Sequence, residues 1–214
     1  MKFDRKMLQL YAITDRHWVG DLSLLEQIEI VLKNGATCLQ LREKHLSKEE
    51  FISEAKEVKK LCNKYNVPLI INDSVEVALA VGADGVHVGQ DDLNCGLIRE
   101  KVGEDMIVGV SSHNVEEALE AYKNGADYIG IGAAFSTSTK TDTSVMTAQT
   151  MKDITANSPI PAVAIGGITI ENLPTLYNRG LAGVAVISSL FGAKNIKDAT
   201  IELKTLTDIL VNNG

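Results

Sequence analysis

Short apolar runs recur along the chain, with amphipathic stretches between them. The runs are residues 8–15 (LQLYAITD), 38–44 (CLQLREK), 67–73 (VPLIIND), 84–89 (DGVHVG), 106–112 (MIVGVSS), 127–135 (DYIGIGAAF), 161–167 (PAVAIGG) and 181–188 (LAGVAVIS). Each is rich in Val, Ile and Leu and bounded by Gly, Pro or Asn, which marks strands buried on both faces, as in a parallel sheet. The stretches between them read as helices. Leu24, Leu25, Ile28, Val31 and Leu32 keep the i, i+3, i+4 rhythm, as do Phe51, Ile52, Ala55, Val58 and Leu61. Ser47 followed by Glu50 forms a capping-box signature. Asn34-Gly35, Gly82, Asn124-Gly125 and Arg179-Gly180 each stop a helix shortly before the next strand.

Eight strand–helix units within 214 residues suit a compact α/β fold, a (β/α)8 TIM barrel. An open doubly wound sheet is the competing architecture, because spacing alone does not show closure. No composition shift, Pro/Ser-rich linker or low-complexity tract divides the chain, so residues 1–214 are expected to form one domain.

Polar side chains gather at the C-terminal ends of the expected strands, where barrels of this kind place their chemistry. Asp15 ends the first strand, Arg42 and Lys44 the second, Asn72 and Asp73 the third, and Ser111 the fifth. The N-terminal ends are expected to be mostly apolar. The period of two along a strand places Gln40, Arg42 and Lys44 on one face and Leu39 and Leu41 on the other. Two cations and an amide aimed into a barrel mouth favour a phosphate or carboxylate; a solvated rim is the plainer alternative. Asp73 and Asp92 suit Mg2+, which takes one or two carboxylates together with phosphate oxygens and water. Read alone, two loop aspartates are better explained as helix caps. The segment from Phe135 to Lys140 (FSTSTK) offers hydroxyl and backbone donors to phosphate, although by composition it also reads as a flexible linker. Gly166-Gly167 and Ile187-Ser188-Ser189 follow the seventh and eighth strands, where this fold often builds a phosphate site.

A net charge of −7 and a pI near 5.1 argue against non-specific nucleic-acid or anionic-membrane binding. Cys38, Cys62 and Cys95 lack metal-ligand spacing and read as small hydrophobes in a reducing compartment. The charged opening MKFDRKM is not a secretory signal, and no apolar run reaches a membrane-spanning length, so a soluble cytoplasmic protein is expected. His87 reads as a satisfied core residue. His45 and His113 fall at the presumed active face and His17 in the first loop, without the spacing of a metal site. None of the four is assigned a catalytic role.

The pieces YAITD, QLREK, IIND, DGVHVGQDD, GVSSH, DYIGIGAAFSTSTKTD, AIGGI and AVIS occur in order from residue 11 to residue 188. Together they resemble the thiamine phosphate synthase (thiamine-phosphate pyrophosphorylase) family, a family of (β/α)8 transferases. The resemblance implies condensation of hydroxymethylpyrimidine pyrophosphate with a carboxylated thiazole phosphate, giving thiamine phosphate and pyrophosphate. It implies that Gln40, Leu41, Arg42, Glu43, Lys44, Asn72, Ser111 and Lys140 hold the pyrimidine diphosphate, with Arg42, Lys44, Lys140 and Ser111 active in catalysis. Asp73 and Asp92 would hold Mg2+. Thr137, Ser138, Thr139, Gly167, Ile187 and Ser188 would take the thiazole phosphate. The partners would be these small molecules, with neither nucleic acid nor membrane, and a homo-oligomer is compatible with the chain.

Three positions depart from the family pattern: Ser74 replaces a common Arg, Ala133 replaces a usual Pro, and residues 143–147 (TSVMT) replace an Ala/Pro/Gly-containing stretch. Two rival readings share the fold. A thiazole tautomerase would need no pyrophosphate cradle, so QLREK, Asp73, Asp92 and Lys140 argue against it. A non-catalytic phosphate-ligand sensor would bind without turnover.

Overall fold

The computed structural model describes residues 2–89, 95–136 and 145–212. Eight strands, β1 (Leu10–Ile13), β2 (Cys38–Leu41), β3 (Leu69–Asn72), β4 (Gly85–Val88), β5 (Ile107–Ser112), β6 (Tyr128–Ile131), β7 (Ala162–Ile165) and β8 (Gly183–Val186), fall one inside each apolar run. Each pairs in parallel with the next, and β8 pairs back onto β1. The sheet is therefore a closed barrel, and the open doubly wound alternative is excluded.

Alternation along each strand sorts the core into two layers. Leu39 and Leu41 of β2, Leu69 and Ile71 of β3, and Val86 and Val88 of β4 face outward into the layer shared with the helices. Tyr11, Cys38, Ile70, Ile107, Tyr128 and Val163 face inward and fill the lower barrel. A fully buried Leu or Ile contributes roughly 1.5–3 kcal/mol, so the outer layer supplies much of the drive for closure.

The helices are α1 (Leu24–Lys33), α2 (Lys48–Tyr65), α3 (Val75–Val81), α4 (Cys95–Val102), α5 (Val115–Lys123), α6 (Ala148–Asn157), α7 (Ser188–Phe191) and α8 (Ile196–Asn212). Ser47 and Glu50 close the expected capping box on α2, and Ser23 with Glu26 forms a second one on α1. Gly82 ends α3 at φ 61°, a left-handed conformation that a side chain would disfavour.

Two local expectations need correction. No α-helix joins β7 to β8; a 3-10 turn, Leu173–Leu176, takes its place. Pro174 within it cannot donate a backbone hydrogen bond, while Leu173 and Leu176 are still buried as a helix face would be. The N-terminal ends of the strands also carry more charge than expected. Asp84 accepts from Leu69 N at 2.8 Å and Lys59 Nζ at 2.6 Å, and Asp127 accepts from Val108 N at 2.8 Å and Arg99 Nη2 at 2.7 Å. Both carboxylates tie the start of one strand to its neighbour, which is a structural role. Among the described residues, no helix is long and apolar enough to cross a membrane.

Candidate active site

The inward face of β2 carries Gln40, and the chain continues past the strand with Arg42 and Lys44 in the same phase. Arg42 is held at its backbone, where its N–H donates to Thr14 Oγ1 at 3.0 Å. Its guanidinium lies 3.4 Å from Asp15 Oδ2. Lys44 Nζ donates to Asp73 Oδ2 at 2.9 Å. Asp73 itself sits at φ 61° directly after β3, and its N–H donates to His87 O at 2.8 Å. These groups open onto a cavity of about 430 Å³ at the C-terminal end of the barrel. Gln40, Arg42, Lys44, Asn72, Asp73 and Ser111 line one side, and Gly167, Ile187 and Ser188 line the other. The strand-end residues expected to act together are thus brought to one opening.

The second side is made largely of backbone. Gly166 and Gly167 have φ of 100° and 60°, and a Cβ on Gly167 would lie 2.3 Å from Ser136 O. Only glycine fits there. Asn172 Nδ2 donates to Gly167 O at 2.8 Å, and the Ser189 hydroxyl donates to Ile168 O, which stitches the loops after β7 and β8 together. The Gly132–Ala133 peptide on the cavity wall is cis.

Two expected binding residues are placed elsewhere. Leu41 lies on the outward phase of β2 and is fully buried in the barrel–helix layer. Glu43 does not line the cavity: its side chain, 3% exposed, accepts from Arg16 Nε at 3.1 Å, while Arg16 Nη2 reaches Glu54 at 2.5 Å. Burial, together with the neighbouring Glu54 carboxylate, pushes the Glu43 carboxyl above its usual range against the pull of Arg16. Asp92, Thr137, Ser138, Thr139 and Lys140 lie outside the described residues.

Among the three departures, Ser74 caps α3 by accepting from Val77 N at 3.3 Å. Ala133 O accepts from Met146 N at 2.7 Å, and Thr147 caps α6. The described part of the variant stretch is thereby tied to the cavity wall.

Tyr11 and His87 also line the cavity, outside the set of site residues expected from the sequence. His87 is hydrogen-bonded on both ring nitrogens, as expected of a core histidine: Nδ1 to Tyr128 Oη at 3.0 Å and Nε2 to Ser111 Oγ at 3.1 Å. The strand period offers the missing signal, because Val86 and Val88 face outward and His87 must therefore face in. His113 lines the rim with Nδ1 2.9 Å from Glu117 Oε2, and His45 is exposed.

The thiols are chemically quiet. Burial holds Cys38 well above the usual thiol range and pushes Cys62 up to about 12, so neither supplies a thiolate at neutral pH. Among the described residues, no three His, Cys, Asp or Glu side chains converge as a preformed metal cage. Mg2+ does not need one, since it keeps water and takes phosphate oxygens beside one or two carboxylates. Asp73, a carboxylate on the cavity lining, is of the donor type such an ion takes.

Fold and mouth define a (β/α)8 barrel whose C-terminal face gathers Arg42, Lys44 and Asp73 around one cavity. The thiamine monophosphate synthase family model matches residues 10–190. The chain is 48% identical over 205 residues to a thiamine-phosphate synthase of Ruminiclostridium cellulolyticum, covering 96% of each chain. It is 43% identical over 206 residues to that of Clostridium acetobutylicum, again covering 96% of each. A solved thiamine phosphate pyrophosphorylase from Pyrococcus furiosus superposes with a TM-score of 0.89 at 37% identity, over 97% of this chain and 98% of that one. The chain belongs to the thiamine-phosphate synthase family of transferases.

Proposed function

We propose that the chain joins hydroxymethylpyrimidine pyrophosphate to carboxythiazole phosphate, giving thiamine phosphate with release of pyrophosphate and, from the thiazole carboxyl group, carbon dioxide. The observation that carries this reading is the single phase of Gln40, Arg42 and Lys44, which sets two cations above an amide at one side of a cavity of about 430 Å³. Opposite them, the Gly167 backbone and the start of α7 at Ser188 suit the thiazole phosphate.

Departure of diphosphate from an electron-rich pyrimidinylmethyl carbon leaves a resonance-stabilised cation, so the reaction needs charge stabilisation and alignment rather than a covalent protein nucleophile. Arg42 and Lys44, joined by Lys140, receive the charge that builds on the departing oxygens. Gln40 and Asn72 orient the pyrimidine, and Ser111 hydrogen-bonds the donor. The phosphate anchor on Gly167, Ile187 and Ser188, with Thr137, Ser138 and Thr139, holds the thiazole nitrogen in line. Asp73 and Asp92 would hold Mg2+, which would supply positive charge to neutralise the diphosphate. Leu41 and Glu43 support this constellation from behind the strand and through Arg16. Three free cysteines, Cys38 and Cys62 buried and Cys95 half-buried, agree with a reducing cytoplasm. Neither the tautomerase nor the sensor reading gains support, because the relatives carry the synthase name.

The test is incubation with both substrates and Mg2+, scored for pyrophosphate. Release that requires the thiazole phosphate and matches thiamine phosphate formed supports the reading. Binding of both substrates with no product overturns it.

A further inference from the structure

The donor's side of the cavity runs from β2 to β5, and Lys44 and His113 stand at its two ends. Ser111 and His113 both line the cavity, while Ser112 between them is fully buried and does not. The alternation of β5 therefore continues one residue past the strand. It sets His113 one repeat above Ser111, about 6.6 Å nearer the solvent. His113 and Lys44 are equally exposed, at 49% and 47% of the side chain, whereas Arg42 lies deeper.

The ring of His113 is held from behind. Glu117, in the first turn of α5, accepts from the His113 backbone N–H at 2.7 Å and from Asn114 Nδ2 at 2.7 Å. These two donors occupy both carboxylate oxygens, so Glu117 has no proton to give. At the third contact, 2.9 Å from Glu117 Oε2, His113 Nδ1 is thus the donor. Nε2 is the ring atom left for a ligand, and among the described residues it has no hydrogen-bond partner. A second proton, taken from solvent, makes the ring an imidazolium, which a carboxylate on one side and a bound anion on the other both favour. Of the other titratable groups on this lining, Arg42 and Lys44 are cations, Asp73 is an anion, and Tyr11 and His87 lie within β1 and β4.

We propose that His113 is a further ligand of the pyrimidine diphosphate, donating from Nε2 to an oxygen of its outer phosphate group while Glu117 holds the ring. This rests on the reading of the mouth as the diphosphate seat, and it gives that seat a contact at the end away from Lys44. Arg42 serves the diphosphate at depth, and Lys44 and His113 grip its outer group from the two ends of the rim.

The experiment is calorimetric titration with inorganic pyrophosphate, Mg2+ present, at one neutral pH. His113→Asn keeps an amide where Nδ1 stood, within reach of Glu117, but ends short of Nε2. It should raise Kd about tenfold, the scale of one charge-assisted hydrogen bond, with a melting temperature close to the parent's. His113→Gln does the reverse, restoring a neutral donor near Nε2 and giving up the Glu117 contact. Its Kd should lie between the two, about threefold above the parent. A purely structural pairing with Glu117 predicts the opposite pattern, a lower melting temperature in His113→Gln and no change in Kd for His113→Asn. Either an unchanged Kd in folded His113→Asn, or a weaker complex for His113→Gln than for His113→Asn, overturns the proposal. In the parent itself, saturating pyrophosphate should move the 15N signals of the His113 ring, assigned by their absence from either variant; signals that stay in place also overturn it. A parent that does not bind pyrophosphate removes the diphosphate seat and this contact together. Binding that weakens in His113→Asn supports the contact whether or not thiamine phosphate is formed, so the two readings fail separately.

Discussion

Lys44 Nζ and Asp73 Oδ2 stand 2.9 Å apart at the cavity mouth, joining the ends of two adjacent strands by opposite charges. Both side chains are substantially exposed, and a pair of that kind is worth only about 0–1 kcal/mol. The contact is therefore weak enough to be exchanged, with a diphosphate drawing Lys44 and a divalent cation drawing Asp73. Asp73→Asn should raise the Mg2+ concentration for half-maximal rate at least about tenfold, the scale of losing one charged ligand contact. A Mg2+ titration superimposable on the parent's would remove Asp73 from the metal site.

Arg42 differs from Lys44 in being fixed. Its backbone is tied to Thr14, and its side chain is only 17% exposed, beside Asp15. A preplaced guanidinium costs little reorganisation when charge develops, so Arg42→Ala should lower kcat by about 10²–10³. Arg42→Lys should recover only part of that loss, because an ammonium lacks the fork that matches two phosphate oxygens. Lys140→Ala should fall as far as Arg42→Ala. Steady-state rates at saturating substrates check all three, with circular dichroism to confirm the fold.

The strands are legible because a parallel barrel buries both faces, which leaves short unbroken apolar runs such as Leu69–Ile71 and Gly183–Val186. The same double burial hides direction. Within DGVHVG every residue between Asp84 and Gly89 except His87 is apolar or glycine, so His87 looks like core until the outward phase of Val86 and Val88 is known. Tyr11 is hidden in YAITD for the same reason. The polar mouth is more legible, since Arg42, Lys44 and Asp73 lie beyond the last buried residue and have no packing role. Leu41 and Glu43 come along only as members of the QLREK motif; strand alternation sends one outward, and Arg16 claims the other. The 3-10 turn at Leu173–Leu176 is missed because two buried leucines three apart satisfy a helical rhythm as well as they satisfy the tighter turn.

Glu43 supplies a pH prediction with a definite sign. Glu43 Oε1 and Glu54 Oε1 are both buried without a hydrogen-bond partner, and Arg16 serves the other two carboxylate oxygens. The folded Glu43 pKa is raised by burial, so folding favours its protonated form. That contribution is fully present below the unfolded glutamate pKa and is lost as pH rises through the folded value. Glu43→Gln keeps the shape of the protonated acid at every pH and gives Glu54 a donor. Thermal melts should show the variant gaining on the parent above the folded pKa and converging with it in acid. A difference independent of pH would contradict this account.

Gly167 tests the second side of the cavity separately. Its φ of 60° is open to glycine at little cost, and an added Cβ would meet Ser136 O at 2.3 Å, Phe135 O at 2.9 Å and the Phe135 carbonyl carbon at 3.0 Å. All three atoms belong to backbone, so the strain cannot be relieved by a side-chain rotation; the loop after β7 or the segment after β6 has to move. Both flank the proposed thiazole phosphate seat, whereas Gln40, Arg42 and Lys44 stand on the opposite side. Gly167→Ala should therefore raise KM for the thiazole phosphate by at least about tenfold, as expected when a positioned phosphate contact is lost. KM for the pyrimidine diphosphate should change much less, and the melting temperature should drop by a few degrees, the scale of about 1 kcal/mol of strain in a chain of this size. Equal increases in both Michaelis constants would mean that the two sides of the cavity do not divide the substrates as proposed.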